Sequence, residues 1–143
     1  PEAKLQVVGR NPWRELRALA EARADVEVTG EVEDVNEYLL NARAVVVPLR
    51  FGSGTRLKVV EAMASGIPIV STTLGAEGVG CVGGEHLLYA DAPGEFATQL
   101  KTLFGDQQAY DTLRRNARTL VEERYDWKSI GEQIISAYAA AFH

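Results

Sequence analysis

Six residues whose types suit anion chemistry crowd one short stretch of the run Val45–Ser71, VVVPLRFGSGTRLKVVEAMASGIPIVS: Gly52, Ser53, Gly54, Thr55, Arg56 and Lys58. Amides of a glycine-rich turn that leads into a helix point outward and donate to phosphate oxygens. Between Tyr38 and Ala76 the charged residues are Arg43, Arg50, Arg56, Lys58 and Glu61, so a chain of net charge -5 gathers its positive charge at this turn. The helix expected over Thr55–Ser65 carries Arg56 and Lys58 in its first turn, where the macrodipole disfavours a cation by a few tenths to about 1 kcal/mol. A bound anion offsets that cost, and the expected ligand is a phosphate, specifically that of a nucleotide.

Glu61 extends the pattern. Lys58, Glu61 and Ser65 share one stripe of a helix that is otherwise apolar or small. Glu61 lies roughly 9 Å along the axis from Thr55 at about 1.5 Å per residue, beyond the reach of phosphate chemistry but suited to a sugar diol. A carboxylate accepts two hydroxyl protons well, so the pair reads as Lys58 toward diphosphate and Glu61 toward ribose. The simpler reading is a tight turn followed by an exposed ion pair contributing about 0.2–0.5 kcal/mol. Glu77, within Gly75-Ala76-Glu77-Gly78, is either a solvated loop acid or a sugar contact.

Other chemistry finds little support. Gly78, Gly80 and Gly83 spell GxGxxG but neither follow a strand directly nor open a helix. No GxxxxGK[ST] occurs, because Val59 follows Lys58. His86 and His143 lack companions for a metal site, so no metal is expected. Cys81 has no activating neighbour in sequence, and Ser53 and Ser71 lack the surroundings of a nucleophile elbow. Trp13, Trp127 and Tyr138 fall at amphipathic positions and are expected in the core.

The elements that would hold the turn alternate in type. Strands are expected at Leu5–Gly9, Val26–Gly30, Val45–Leu49, Ile67–Ser71 and His86–Ala90. Helices are expected from Pro12, capped by Asn11; after Asp34, through Val35, Tyr38, Leu39 and Ala42; over Thr55–Ser65 and Pro93–Phe104; and over Gln107–Arg124 and Trp127–Phe142. Continuously apolar strands alternating with helices imply α/β architecture with a doubly wound, Rossmann-like parallel sheet. The anion turn then sits outside the carboxyl end of a strand, where such sheets bind ligands.

The 143 residues, 46% hydrophobic and 24% charged, fit one domain with one core. A pI near 5.1 argues against nucleic-acid binding over a broad surface. One cysteine excludes an internal disulfide, and no apolar run approaches the roughly 20 residues that span a bilayer, so a cytoplasmic location is expected. The chain opens at Pro1, almost at once in a strand, and is expected to be part of something longer.

Pro48-Leu49-Arg50 with GSGTRLKVVEAMASGIPIVST and GAEG, supported by VVG near Val8, VTGEVEDV from Val28 and the late ARTLVEERYDW, resembles the C-terminal, nucleotide-sugar-binding domain of retaining GT-B glycosyltransferases, the set called family 4 or group 1. The resemblance covers nearly the whole chain. It implies that Glu61 binds ribose hydroxyls and that Gly54, Thr55 and neighbouring amides contact the donor diphosphate. A subgroup with G-[GS]-G-T-R-x-K at this loop implies that Arg56 and Lys58 supply the charge. The family's first glutamate, eight positions before the second and tied to the donor sugar or catalysis, is replaced by Ser53. The upstream strand whose loop brings an Arg and a Lys to the donor phosphates is absent, as is the acceptor-binding N-terminal domain. In the order 3-2-1-4-5-6 that strand is the central one.

The expected function is the donor half of a hexosyltransferase that moves a sugar, with retention, from a UDP-, GDP- or ADP-linked donor. No further cofactor is implied, and the fragment alone is expected to be inactive. Base selection is expected near Gly30–Val32, and any peripheral membrane association would come through the absent half. The alternatives are a non-catalytic nucleotide-binding module and half of a GT-B sugar-nucleotide epimerase.

Overall fold

The computed structural model describes residues 3–142 and divides into two units, Pro1–Asn41 and Ala42–His143. In the first unit, strand β1 (Leu5–Val8) runs parallel to β2 (Val26–Gly30), with Leu5 opposite Val26 and a register shift between Val7 and Val8. Helix α1 (Arg14–Ala22) connects them, and α2 (Asn36–Asn41) follows β2. Asn11 does not cap α1 as expected: it takes φ 52°, and the helix starts at Arg14 without a side-chain cap. Asparagine is one of the few residues that enter this left-handed region readily, so it serves the bend instead. Asp34 does cap, accepting the Asn36 amide at 2.8 Å.

The second unit contains the buried core. Strands β3 (Val45–Val47), β4 (Ile69–Ser71) and β5 (Leu88–Tyr89) form a parallel sheet in that order, Val46 lying opposite Val70 and Val70 opposite Leu88. Among the described strands β3 pairs only with β4. All three residues of β4 are buried, as its continuously apolar sequence requires. Val70 packs with Ala90, Leu103 and Leu113, bringing α4 (Pro93–Gly105) and α5 (Gln107–Tyr125) against the sheet. Glu95 caps α4 by accepting the amides of Asp91 and Ala92 at 2.7 and 2.9 Å. Asp106 caps α5, and Asp126 caps α6 (Trp127–Ala141).

Helix α3 (Leu57–Ala64) crosses from β3 to β4 and buries Val59, Ala62 and Met63. Gly66 at φ 69° stops it: Gly66 N donates to Met63 O and Ile67 N to Ala62 O, the paired bonds of a Schellman end. That exit returns the chain directly into β4.

Trp13, Trp127 and Tyr138 are 67%, 86% and 65% exposed, contrary to the core placement expected of them. Trp13 precedes the first turn of α1, and Trp127 opens α6 ahead of Ser129, Ile130 and Gly131, the partly buried residues of that helix. Tyr138 stacks on Phe142, with ring centroids 6.2 Å apart.

Candidate functional site

The carboxyl ends of β3 and β4 each release a loop, and hydrogen bonds join the two. Thr72 carries most of the junction. Its amide donates to Val47 O at 3.1 Å, while its hydroxyl donates to Leu49 O at 2.7 Å and accepts from Gly75 N at 2.9 Å. Gly75 admits no side chain, since a Cβ there would stand 2.5 Å from Ser71 Oγ and 2.9 Å from Val47 O. A 3-10 turn, Leu74–Ala76, then delivers Glu77.

From β3 the chain passes Pro48 to Phe51 and enters the glycine loop. Gly52 at φ 135° and Gly54 at φ 96° take conformations that side chains rarely adopt. Gly52, Ser53, Gly54 and Thr55 are all exposed, and among the described residues none of their amides donates a hydrogen bond. Helix α3 begins two residues later than expected, placing Arg56 at its N-cap position and Lys58 in the first turn. Lys58 and Glu61 are both exposed, and no ion pair joins them among the described residues. The exposed-pair reading of those two residues is therefore not what the structure shows. Four amides with no acceptor among the described residues, a helix N-terminus and an ammonium thus lie together, an arrangement able to accept an anion, with an exposed carboxylate one turn farther along α3.

Arg56 is placed differently from Lys58. Its side chain is 8% exposed; Nη2 donates to Gly52 O at 3.3 Å and lies 3.7 Å from Glu77 Oε2. Its Nε is buried without a partner among the described residues. Glu77 stays 70% exposed. The structure thus brings Arg56 and Glu77 together across the two loops, a pairing the sequence reading did not contain.

Beyond Glu77 lies an open cleft of about 550 Å³ lined by Thr73, Glu77, Gly78, Cys81, Tyr89 and Asp91, among others. Asp91 accepts the Thr73 amide and hydroxyl at 2.8 Å each, and these bonds, the amide's first, hold its carboxyl below the ordinary range. Burial pushes the Cys81 thiol up to about 11, with Arg124 opposing. Tyr125 reaches back from the end of α5 to donate to Val79 O at 3.3 Å, anchoring the loop beyond Glu77. Thr72, Thr73 and Asp91 escaped the sequence reading; the polar pair directly after a buried strand was the one available signal.

His86 accepts the Val82 amide at 3.1 Å in its own loop, and His143 lies outside the described residues. Among the described residues no three metal-ligating side chains gather, and no helix is long and apolar enough to cross a membrane.

Residues 1–106 match the family described as Glycosyl transferases group 1. The chain belongs to that family. A phosphatidyl-myo-inositol mannosyltransferase of Mycobacterium leprae is 29% identical to this group 1 chain, covering 96% of it and 38% of the relative. Among solved structures, sucrose-phosphate synthase from Thermosynechococcus elongatus superposes with TM-score 0.79 at 23% identity, over 97% of this chain and 38% of its own. Anabaena Alr3699/HepE, crystallised with UDP and glucose, does so with TM-score 0.75 at 22% identity, over 95% and 40%. The fold shared with them is the doubly wound, Rossmann-like half of the GT-B architecture. The group 1 chain spans about two fifths of the length of each of these relatives.

Proposed function

We propose that this chain is the C-terminal, donor-binding domain of a retaining family 4 glycosyltransferase that moves a hexose from a nucleoside diphosphate sugar to an acceptor. The observation that carries the reading is the row of undonated amides from Gly52 to Thr55 at the head of α3, with Lys58 in its first turn and Glu61 free beyond. The amides and Lys58 hold the diphosphate, Arg56 adds positive charge behind the loop, Glu61 accepts ribose hydroxyls, and Glu77 faces the donor sugar. Charge developing on the leaving diphosphate is then stabilised by fixed donors, and such preorganised electrostatics is a large part of transfer catalysis. The whole protein is cytoplasmic in this reading, and any peripheral hold on a membrane comes through the other half.

The domain reading is one nucleotide-sugar domain without its first β-α unit, which would supply a strand for the free edge of β3. Acceptor binding belongs to a separate N-terminal domain, in keeping with the two-fifths coverage of the relatives. Ser53, at the place of the family's first glutamate, favours a second reading: a nucleotide-binding module that performs no transfer.

The test is calorimetric titration of UDP, GDP and ADP into the full-length protein, repeated with Glu61→Ala and Lys58→Ala. Glu61→Ala is expected to weaken the preferred nucleotide but spare inorganic diphosphate, and Lys58→Ala to weaken both. No nucleotide binding by folded protein overturns the donor site. Binding without transfer to any acceptor selects the module.

A further inference from the structure

We propose that Arg56 is a positioning residue: it acts on the anion by clasping the glycine loop after β3 to Glu77 in the loop after β4, without touching the ligand itself. The inference rests on the donor-site reading and refines the part that Arg56 plays in it.

An arginine side chain that is 8% exposed is not presented to solvent as Lys58 is. It is packed beneath the loop: the position of a Cβ on Gly52 would lie 4.0 Å from Arg56 Nη1, and Gly52 O is the acceptor of Nη2. The same Nη2 faces Glu77 Oε2 at 3.7 Å. Glu77 stands on a stretch that Thr72 and Gly75 tie to the end of β3, so the backbone that carries its carboxylate is held in place. Nη2 thereby faces a backbone carbonyl of the first loop and a carboxylate of the second, and the flat guanidinium, more weakly hydrated than an ammonium, tolerates that buried place beneath Gly52 better than a lysine would. Among the described residues the buried Nε has no partner, and a cost of that kind is met more often at functional positions than in ordinary packing. With the clasp closed, the amides from Gly52 to Thr55 hold their outward aim before a nucleotide arrives, and little ordering remains to be done on binding.

Two accounts of Arg56 predict opposite signs. If Arg56 simply lent charge to the anion, Glu77→Gln would remove an opposing negative charge and tighten diphosphate binding, and Arg56→Lys would bind as wild type does. If it is a clasp, Glu77→Gln weakens UDP by roughly three- to tenfold, Arg56→Lys weakens it comparably despite keeping the charge, and Arg56→Gln/Glu77→Gln is no weaker than the poorer single variant.

The experiment measures UDP and inorganic diphosphate affinities of these full-length variants by calorimetry, beside their thermal unfolding. Glu77 is exposed, so Glu77→Gln keeps the question answerable even where an Arg56 variant fails to fold. Weaker UDP binding by Glu77→Gln with an unchanged melting temperature supports the clasp and is not what a merely structural role gives. Tighter or unchanged binding by Glu77→Gln, or additive losses in the double variant, overturns it while leaving the donor site standing. Failure of folded wild-type protein to bind any nucleotide overturns the donor site and the clasp with it.

Discussion

Removal of the Thr72 hydroxyl is expected to loosen the junction on which both loops stand. Thr72 is 5% exposed, and its one oxygen serves Leu49 O at 2.7 Å and Gly75 N at 2.9 Å. Thr72→Val keeps the shape but strands a buried amide, which costs about 1–3 kcal/mol, and forfeits the carbonyl bond, worth roughly 1 kcal/mol net. The total is about 2–4 kcal/mol. Thr72→Ser keeps the oxygen and loses one methyl, for about 1 kcal/mol. Urea unfolding of the full-length variants gives the two losses, and amide exchange at Gly75 reads the stranded group directly. That amide is expected to exchange at least about tenfold faster in the Val variant than in the Ser variant, because only the former lacks its acceptor. A Val variant within about 0.5 kcal/mol of wild type, or a Ser variant as costly as Val, refutes the assignment of the junction to this hydroxyl.

The remaining predictions concern the same face. Gly75→Ala forces a Cβ against the Val47 carbonyl, a backbone atom that cannot step aside; a loss of about 1–3 kcal/mol and weaker UDP binding are expected, and unaltered stability in urea would count against the close approach. Cys81, pushed up to about 11 from an ordinary 9.0, holds roughly one hundredth of the thiolate of an ordinary thiol at pH 8. Iodoacetamide should therefore label it about a hundredfold more slowly in folded than in urea-unfolded protein, and near-equal rates would show an open thiol. Asp91 is depressed below its ordinary 3.8, so the stability it adds is present above that value and disappears as pH falls through the lower folded value. Asp91→Asn should accordingly melt below wild type at pH 7, with the difference shrinking below about pH 4; a difference that stays constant down to pH 3 would contradict the bonds from Thr73.

Order and type of the elements were legible because apolar runs and glycine punctuation are local signals. Their ends were less so. β3 stops at Val47, short of Leu49, because Pro48 brings no amide and the Leu49 carbonyl is claimed by Thr72. β4 starts at Ile69 because Ile67 is used to close α3. The division into a two-stranded and a three-stranded sheet depends on pairings between distant segments that hydrophobic pattern alone does not specify. Within the candidate site, the glycine turn, Lys58 and Glu61 could be read because they follow one another along a single segment. The Arg56–Glu77 clasp bridges two segments whose approach is set by the β3–β4 register, and the Thr72 bonds follow from that register too. Trp13 and Trp127 misled for a related reason: helical spacing places a residue on a face but does not say whether anything covers the start of the helix.

The lone pairing of β3 has a consequence for the life of the chain before it finishes folding. Three consecutive valines with one edge that no described strand pairs are, until that edge is covered, an invitation to a neighbouring molecule, since backbone groups on such an edge template cross-molecule strands. Pro48 shortens that edge to three residues, and exposed Arg43 and Arg50 stand just outside its two ends. Like charges brought together by edge-to-edge docking repel, and a proline cannot extend the ladder. Arg50, which first drew notice as part of an anion-attracting stretch, thus also stands where it would oppose edge-to-edge docking while that edge is uncovered.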